Sequence, residues 1–315
     1  MEKTIIQPNI TLFKPPKQRF GGCYGLVIET GKSEKILIDC NFPGELMDPF
    51  LHLINNEVQY YFVTHFHMDH TAHVHLIEEK TSATIFMPKQ ESHIITDLNN
   101  LIEFAGIDKA GLADVWRTFG YKILKFKECK SVEAFTPGTK FQFDDITIST
   151  LHLPGHSPGH TGFIISDFSD KEEKILHVAD LGLDPFGPWY GFEKICSLPD
   201  YFNSIEKVEK LLKDCRYLLS SHTDIFTENF TSIINNVRLK ILKREDLILN
   251  AIKSSRSPLT LDQLNALELI FPINKFAPPE RFLYQFWSKN FLIHHLSRLI
   301  AQKKICYVNN AYSIA

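Results

Sequence analysis

The sequence predicts an α+β protein in two parts: stacked mixed β-sheets flanked by helices, then a small basic helical unit closed by a hairpin. Three observations predict it. Strand-like runs dominate the first 180 residues without alternating strictly with helices, which argues against a doubly wound parallel sheet. The length of 315 residues suits a domain of about 200–250 residues with a small companion. The charge is split: residues 237–315 carry 12 Lys/Arg against 5 Asp/Glu, a net of +7, and residues 1–236 carry a net of −10. Such asymmetry marks units with different electrostatic roles, so the expected division is 1–236 and 237–315.

The elements follow in order. "GLVIET" (25–30) and "KILIDC" (35–40) are β-branched runs around the turn "GKSE". "VQYYFVT" (58–64) is a further strand, "HTAHVHLIEEK" (70–80) has helical spacing, and "SATIFMP" (82–88) is a strand. Residues 90–118 read as helix, with apolar positions at Ile94, Ile95, Leu98, Leu101, Ile102 and Phe104. Strands are expected again in "YKILKF" (121–126), "FQFDDITISTLHLP" (141–154), "TGFIISD" (161–167) and "KILHVAD" (174–180). An amphipathic helix, "YFNSIEKVEKLLK" (201–213), precedes a last strand, "YLLSSH" (217–222). Beyond 236, "LKREDLILNAIK" (242–253) is a helix, and Thr260 and Gln263 open another in capping-box spacing. "FLIHHLSRLIAQ" (291–302) places Leu292, Leu296, Leu299 and Ile300 on one face. "KKICYVNNAYSIA" turns at Asn309–Asn310 as a hairpin. Three helices and a hairpin suggest a winged helix-turn-helix.

Composition excludes several classes. Apolar residues make up 44% and charged residues 23%, ordinary for a globular protein. No apolar run approaches the ~20 residues of a membrane span, and "MEKTIIQPNITLFKPP" lacks the pattern of a secretory signal. The cysteines at 23, 40, 129, 196, 215 and 306 are scattered without a C-x-x-C, which fits reduced thiols in the cytoplasm.

The chemistry concentrates in "VTHFHMDHTAH" (63–73). A strand runs into this loop. His65 and His67, two residues apart, point the same way if the segment stays extended, and Asp69 and His70 follow the turn. Imidazoles and carboxylates are the ligands of zinc, iron or manganese. Four donors are too few for two metals, but three more close apolar strands or sit in a Pro/Gly turn: His156 in "LPGHSPGHTGF", Asp180 ending "LHVAD", and His222 ending "YLLSSH". Core packing explains such placements poorly.

Together with the "LIDC" strand end and the H-x-H-x-D-H loop, these positions resemble the metallo-β-lactamase superfamily over about residues 10–230. The resemblance implies an αββα sandwich with the site at one edge of the two sheets. It implies a first metal on His65, His67 and His156, a second on Asp69, His70 and His222, and Asp180 bridging both. Two divalent transition-metal ions are expected, with zinc first and iron or manganese as alternatives. Such a pair shares a hydroxide near neutral pH and stabilises an oxyanion. Asp69 is the candidate catalytic side chain, placed to orient the nucleophile or take a proton. His73 would lie outside the ligand shell, His160 would make a supporting hydrogen bond, and His294 and His295 would face solvent. Cys40 is expected to be a buried, inert thiol.

The substrate is less legible. Trp189 and Tyr190, in "DPFGPWYGFE" (184–193), are candidate substrate-pocket walls. The last ligand sits in "SSHTD" rather than the P-G-H of glyoxalase II-type and RNase Z enzymes, and the long insertion of β-CASP nucleases is missing. A lactamase-like domain with a terminal winged helix resembles the lactamase-beta-like group, which includes endoribonucleases. The first expectation is a metal-dependent hydrolase in which hydroxide attacks a small-molecule ester or thioester. The second is a phosphodiesterase or endoribonuclease with RNA as partner. The third is a nucleic-acid-binding regulator with a sensory metal site. The face of the last helix, expected to expose His295, Arg298 and Gln302, holds one firm cation. The tail is therefore expected to shape the pocket or a homodimer contact, without specific DNA binding.

Overall fold

The structure, a computed structural model, describes residues 1–16, 22–167 and 173–315. In chain order the first sheet holds β1 (Glu2–Gln7), β2 (Ile10–Lys14), β3 (Gly25–Glu29), β4 (Lys35–Ile38), β5 (Tyr60–Phe62), β6 (Thr84–Pro88) and β7 (Glu133–Phe135). They lie side by side in sequence order, antiparallel from β1 to β4 and parallel from β4 to β7. The second sheet holds β8 (Lys140–Phe143), β9 (Ile146–His152), β10 (Thr161–Asp167), β11 (Ile175–His177), β12 (Tyr217–Ser220) and β13 (Thr223–Phe226), all antiparallel except β11 with β12.

Side-chain alternation divides these strands between two cores. Leu26, Ile28, Ile36, Ile38 and Phe62 meet Ile146, Ile148, Phe163, Ile165, Ile175 and Leu219 between the sheets. Their neighbours Val27, Leu37 and Tyr61 face outwards into a core shared with α1 (Gly44–Leu53) and, after the short α2 (Met68–Thr71), with α3 (Val74–Lys80). That apolar cluster also takes Leu176 and Leu218 from the second sheet. The result is four layers, αββα. After β6 come α4 (Leu98–Phe104) and α5 (Ala113–Arg117); α6 (Leu198–Leu211) sits on the second sheet through Ile205 and Val208.

Two local expectations fail. Residues 90–118 are not one helix: turns occupy the start, Asp97 caps α4 by accepting from Asn99 N, and Gly106 and Gly111 break the chain's helical course between α4 and α5. The segment "YKILKF" is not a strand: its first half ends a π-helical run, Thr118–Ile123, and its second half is irregular. Its alternating apolar residues are used there to bury Leu124 and Phe126 while Tyr121 and Ile123 stay exposed. Propensity is a weak prior, and tertiary packing overrides it here.

The C-terminal part comprises α7 (Phe230–Ser254), α8 (Leu261–Ala266), α9 (Glu280–Ala301) and the hairpin β14 (Ile305–Val308) and β15 (Ala311–Ile314). The expected division at 236/237 falls inside α7. Its first half gives Ile234, Val237 and Ile241 to the main core, and its second half gives Ile248, Leu249 and Ile252 to a small separate one. Thr260 forms the capping box with Gln263 at α8, and Asn309 and Asn310 both adopt positive φ at the hairpin turn. Helix α9 has two buried faces instead of one. Leu292, Leu296 and Leu299 fill the small core, whereas Leu283, Trp287 and Phe291 join the main one. Hence His295, expected in solvent, is fully buried, His294 is half-buried, and Ile300 is exposed instead of packed. Among the described residues no helix is long and apolar enough to cross a membrane.

Candidate metal centre

The site lies where strands of both sheets end. Strand β5 runs through Val63 and Thr64 into the His65–His67 segment and α2. The β9–β10 turn brings His156, the chain after β11 brings Asp180, and the end of β12 brings His222. All seven predicted donors meet in two groups: His65, His67, His156 and Asp180, then Asp69, His70, Asp180 and His222. Within each group the donor atoms lie within 4.8 Å of one another, and Asp180 belongs to both.

The hydrogen-bond network determines which ring nitrogens face inwards. Thr64 Oγ1 donates to Asp39 Oδ2 (2.6 Å), so it must accept from His65 Nδ1 (2.9 Å), leaving His65 Nε2 bare. His156 Nδ1 donates to the Trp189 carbonyl (2.8 Å), leaving His156 Nε2 bare. These two lone pairs face each other at 3.0 Å, with His67 Nδ1 3.1 Å from His65 Nε2. Converging lone pairs in a buried place repel unless a cation lies among them. In the second group His70 Nδ1 donates to Asp39 Oδ2 (2.8 Å), which turns His70 Nε2 towards Asp180 Oδ2 (3.4 Å) and Asp69 Oδ2 (3.8 Å). His222 Nε2 lies 3.2 Å from Asp69 and 3.3 Å from Asp180. Asp180 Oδ1 is buried with no hydrogen-bond partner among the described residues. Donor types, tautomers and this orphaned oxygen all fit a pair of divalent cations.

The electrostatics agree. Burial holds the His65 imidazole far below its ordinary range, and takes His67 to about 4 and His156 to about 3, so these rings are neutral, as ligation requires. Burial also pulls on His70 and His222, but there the surrounding acids outweigh it: Cys23, Asp39 and Asp180 for His70, Asp180 and Asp69 for His222. Both rings are raised well above the ordinary histidine range. Burial penalises the carboxylates as well, yet His70 and His222 bring Asp69 down to about 2 and hold Asp180 well below the carboxylate range. A group of carboxylates that draws positive charge onto its histidines is a group that favours a metal cation in its place.

Supporting residues complete the frame. Asp39, at the "LIDC" strand end, also accepts from Thr64 N (2.9 Å) and so locks the entry of the histidine loop onto β4. Sequence reading gave it no role; an acid closing an apolar strand beside the metal edge was the available signal. Glu91, fully buried, accepts from Phe66 N (2.9 Å) and Gly159 N (2.6 Å), tying the two metal-facing loops together. His160 Nε2 accepts from Asp180 N (3.0 Å), and burial keeps this ring neutral, near 3. Cys40 is buried and donates to Leu26 O. His73 lies outside both groups, beside Gly44. Replacing Asp39 with Asn is expected to weaken metal affinity by about 10–100-fold, the usual cost of losing a carboxylate that orients a ligand imidazole. Titration against a chromophoric chelator reads that loss, and unchanged affinity would refute the orienting role.

The site opens on a cavity of about 490 Å³. Its walls include Phe66, Trp116, Trp189 and Phe192, the π-helical region supplies Phe119 and Leu124, and the C-terminal part adds Phe271, Tyr284 and Trp287. Of the two predicted pocket residues, Trp189 lines it, packing edge-on to His67 at 4.9 Å. Tyr190 does not. It is fully buried, with its hydroxyl 2.8 Å from His295 Nε2 and its ring 4.1 Å from Phe291. The chain thus sends these neighbours to opposite sides, Trp189 to the cavity and Tyr190 to the core. The loop itself is held by the C-terminal helices. Arg244 donates to the carbonyls of Phe186 and Pro188, Lys240 to that of Asp184, and Asn290 to that of Gly191.

A family model described as the metallo-beta-lactamase superfamily matches residues 19–248. The chain belongs to the metallo-beta-lactamase superfamily. Members of this superfamily are usually metal-dependent hydrolases, and the His/Asp groups of this chain could hold a metal. Among solved structures it is similar to a metallo-beta-lactamase family protein from Thermus thermophilus, with 16% identity over 99% of this chain and 100% of that one, TM-score 0.72. A beta-lactamase domain protein from Burkholderia ambifaria shows 15% identity over 100% and 94%, TM-score 0.70. These likenesses establish the fold over the whole chain. The lactamase-like protein nscB of Arthroderma benhamiae is 25% identical over 232 residues, 73% of this chain and 40% of its own length. The chain thus spans less than half of that relative.

Proposed function

We propose that this metallo-beta-lactamase superfamily member hydrolyses small-molecule esters or thioesters at a dinuclear metal site. His65, His67 and His156 would hold one ion, Asp69, His70 and His222 the other, with Asp180 between them; zinc suits this His-rich donor set. The observation that carries the reading is the pair of donor groups sharing Asp180 at the mouth of an apolar cavity. Bound there, the metals supply a hydroxide nucleophile near neutral pH and positive charge against the developing oxyanion. The chain's own residues do the rest. Asp69, a third exposed, orients the attacking group and accepts its proton, Trp189 holds His156 in the ligating tautomer, and the aromatic walls seat the substrate and exclude water.

A nucleic-acid substrate finds less support. Part of the positive charge of the tail is engaged within the molecule: Arg238 with Glu209, Arg298 with Glu245, and Lys240 and Arg244 with loop carbonyls. We therefore read residues 237–315 as a winged-helix-like packing module that builds one wall of the pocket. The six cysteines are all free, which fits a cytoplasmic enzyme.

The test reconstitutes the protein with zinc, iron or manganese in turn, measures metal per chain, and screens an aryl thioester, a lactone and a short single-stranded RNA. Two metals per chain and turnover of the thioester or lactone, lost on chelation and restored by metal, are expected. Cleavage of RNA alone, falling steeply with salt, or less than one metal per chain after reconstitution, would overturn the proposal.

A further inference from the structure

The loop 184–192, which carries Trp189 to the cavity, has no regular secondary structure. Its backbone groups find no ladder of their own and must be satisfied from outside. Side chains of α7 and α9 do this. Arg244 Nη2 donates to the carbonyl of Phe186 and Arg244 Nη1 to that of Pro188, while Lys240 takes the carbonyl of Asp184 and Asn290 that of Gly191. The carbonyl of Trp189, between them, accepts instead from His156 Nδ1 at 2.8 Å.

One guanidinium thus grips the chain close to Trp189. Its planar fork serves two carbonyls at once, and Nη1 also reaches Tyr190 Oη at 3.3 Å. Rings hold it in that pose: the guanidinium carbon lies 4.5 Å from the Phe186 centroid, 5.3 Å from that of Phe291 and 5.5 Å from that of Tyr190. Tyr190 is anchored in turn, buried with its hydroxyl 2.8 Å from His295 Nε2 of α9. With Pro188 and Tyr190 both fixed, Trp189 has little freedom to turn its carbonyl. That carbonyl decides the tautomer and ring orientation of His156. It therefore directs His156 Nε2 towards His65 Nε2, 3.0 Å away, and Asp180 Oδ2, 3.6 Å away.

We propose that α7 and α9 set the geometry of the metal centre through this loop, and that Arg244 is the positioning residue. The guanidinium fixes the Trp189 carbonyl, and the carbonyl aims His156. That His156 then meets a metal rests on the proposed dinuclear site; the aim of the ring does not.

The experiment reads the ring and the metal separately, without turnover. Three variants of the full chain are compared with the unaltered protein. Arg244→Met keeps the apolar stem and removes the donors. Arg244→Lys keeps the charge but offers a point donor in place of the fork. Arg238→Met is the control, since Arg238 lies on the same helix and pairs with Glu209 of α6 rather than with the loop. In metal-free protein isotope-labelled at histidine, nuclear magnetic resonance reads the Nδ1–H proton of His156, assigned by His156→Gln. Titration with cobaltous ion against a chromophoric chelator gives the affinity, and the visible ligand-field bands give the geometry. Arg244→Met is expected to lose the Nδ1–H signal and to shift the visible bands. It should also bind one of its two cobalt ions about tenfold more weakly, the lower end for loss of a ligand's outer support. Arg244→Lys should lie between, at about threefold. Arg238→Met should match the unaltered protein in all three readouts, even where it lowers stability. A folded Arg244→Met that retains the Nδ1–H signal overturns the inference. A lost signal with unchanged cobalt affinity and bands confines Arg244 to the loop and overturns its role at the centre. Equal losses in Arg238→Met overturn it too, because the effect is then one of general stability. Should Arg244→Met not fold, Arg244→Lys decides: identity with the unaltered protein in all three readouts overturns the inference, and a loss absent from Arg238→Met supports it. If the unaltered protein binds no cobalt, the dinuclear reading falls, and the Nδ1–H signal by itself decides for or against Arg244.

Discussion

Asp180→Asn is expected to lower ester or thioester turnover by about 10³-fold while leaving the chain folded. The carboxylate is the one side chain common to both of the groups of His and Asp donors described above, so on the proposed dinuclear reading its loss would remove a negative charge shared by the two sites and weaken the hold on each ion. Metal-centred charge stabilisation contributes several kcal/mol to such reactions, which sets the scale of the loss. The fold should survive because the local frame uses the Asp180 backbone. Its N–H donates to His160, and its carbonyl accepts from Tyr201 Oη at 2.9 Å. Elemental analysis should find the metal content falling from two per chain towards one or none. A variant that kept both metals and full turnover would remove Asp180 from the bridging position.

The second large effect is structural. Gly155, at φ +127, forms the turn that delivers His156, and a Cβ there would stand 2.5 Å from the backbone N and Cα of Tyr201 in α6. That helix is fastened to the turn: Ser197 N donates to the Gly155 carbonyl (3.0 Å), and Ser204 Oγ to that of Pro154 (2.7 Å). Gly155→Ala must therefore push α6 off the sheet or rotate His156 away from the other donors. A loss of about 4 kcal/mol of stability, at the upper end for single substitutions, is expected, together with lost activity. Gly138 provides the control. It also has positive φ, +103, but a Cβ there meets nothing within 4 Å, so Gly138→Ala should cost only the backbone strain, about 1–3 kcal/mol. Urea denaturation of the two variants side by side decides it; equal losses would show that contact with α6 contributes nothing.

Much of the site was legible because metal chemistry demands particular atoms. Histidines and aspartates that close apolar strands have no better use in a core, so each of the seven predicted donors could be named from its neighbours in the chain, and all seven meet in the structure. The strands around them were legible for a related reason: period-two alternation is local, and β4, β5, β9, β10 and β12 all lie in the predicted runs. The failures share a cause. "YKILKF" carries strand-like residues but is packed as a π-helical turn against the cavity, and α9 was read with one buried face because an amphipathic pattern presumes a single core.

Short stretches of sequence were enough to name the family, the seven side chains that converge, the capped helix at Thr260 and the hairpin at Asn309–Asn310. Only the tertiary structure decided what surrounds that chemistry. It turned Trp189 into the cavity and Tyr190 away from it, gave Asp39 and Glu91 their places behind the His/Asp donors, buried His295 against Tyr190, and set Phe271, Tyr284 and Trp287 from the C-terminal part on the cavity that the donors open onto. The physical reason is range. A donor's identity, a cap or a turn is fixed by a few consecutive residues, whereas a cavity is the space left between elements far apart in the chain, and its lining depends on how two cores share one helix.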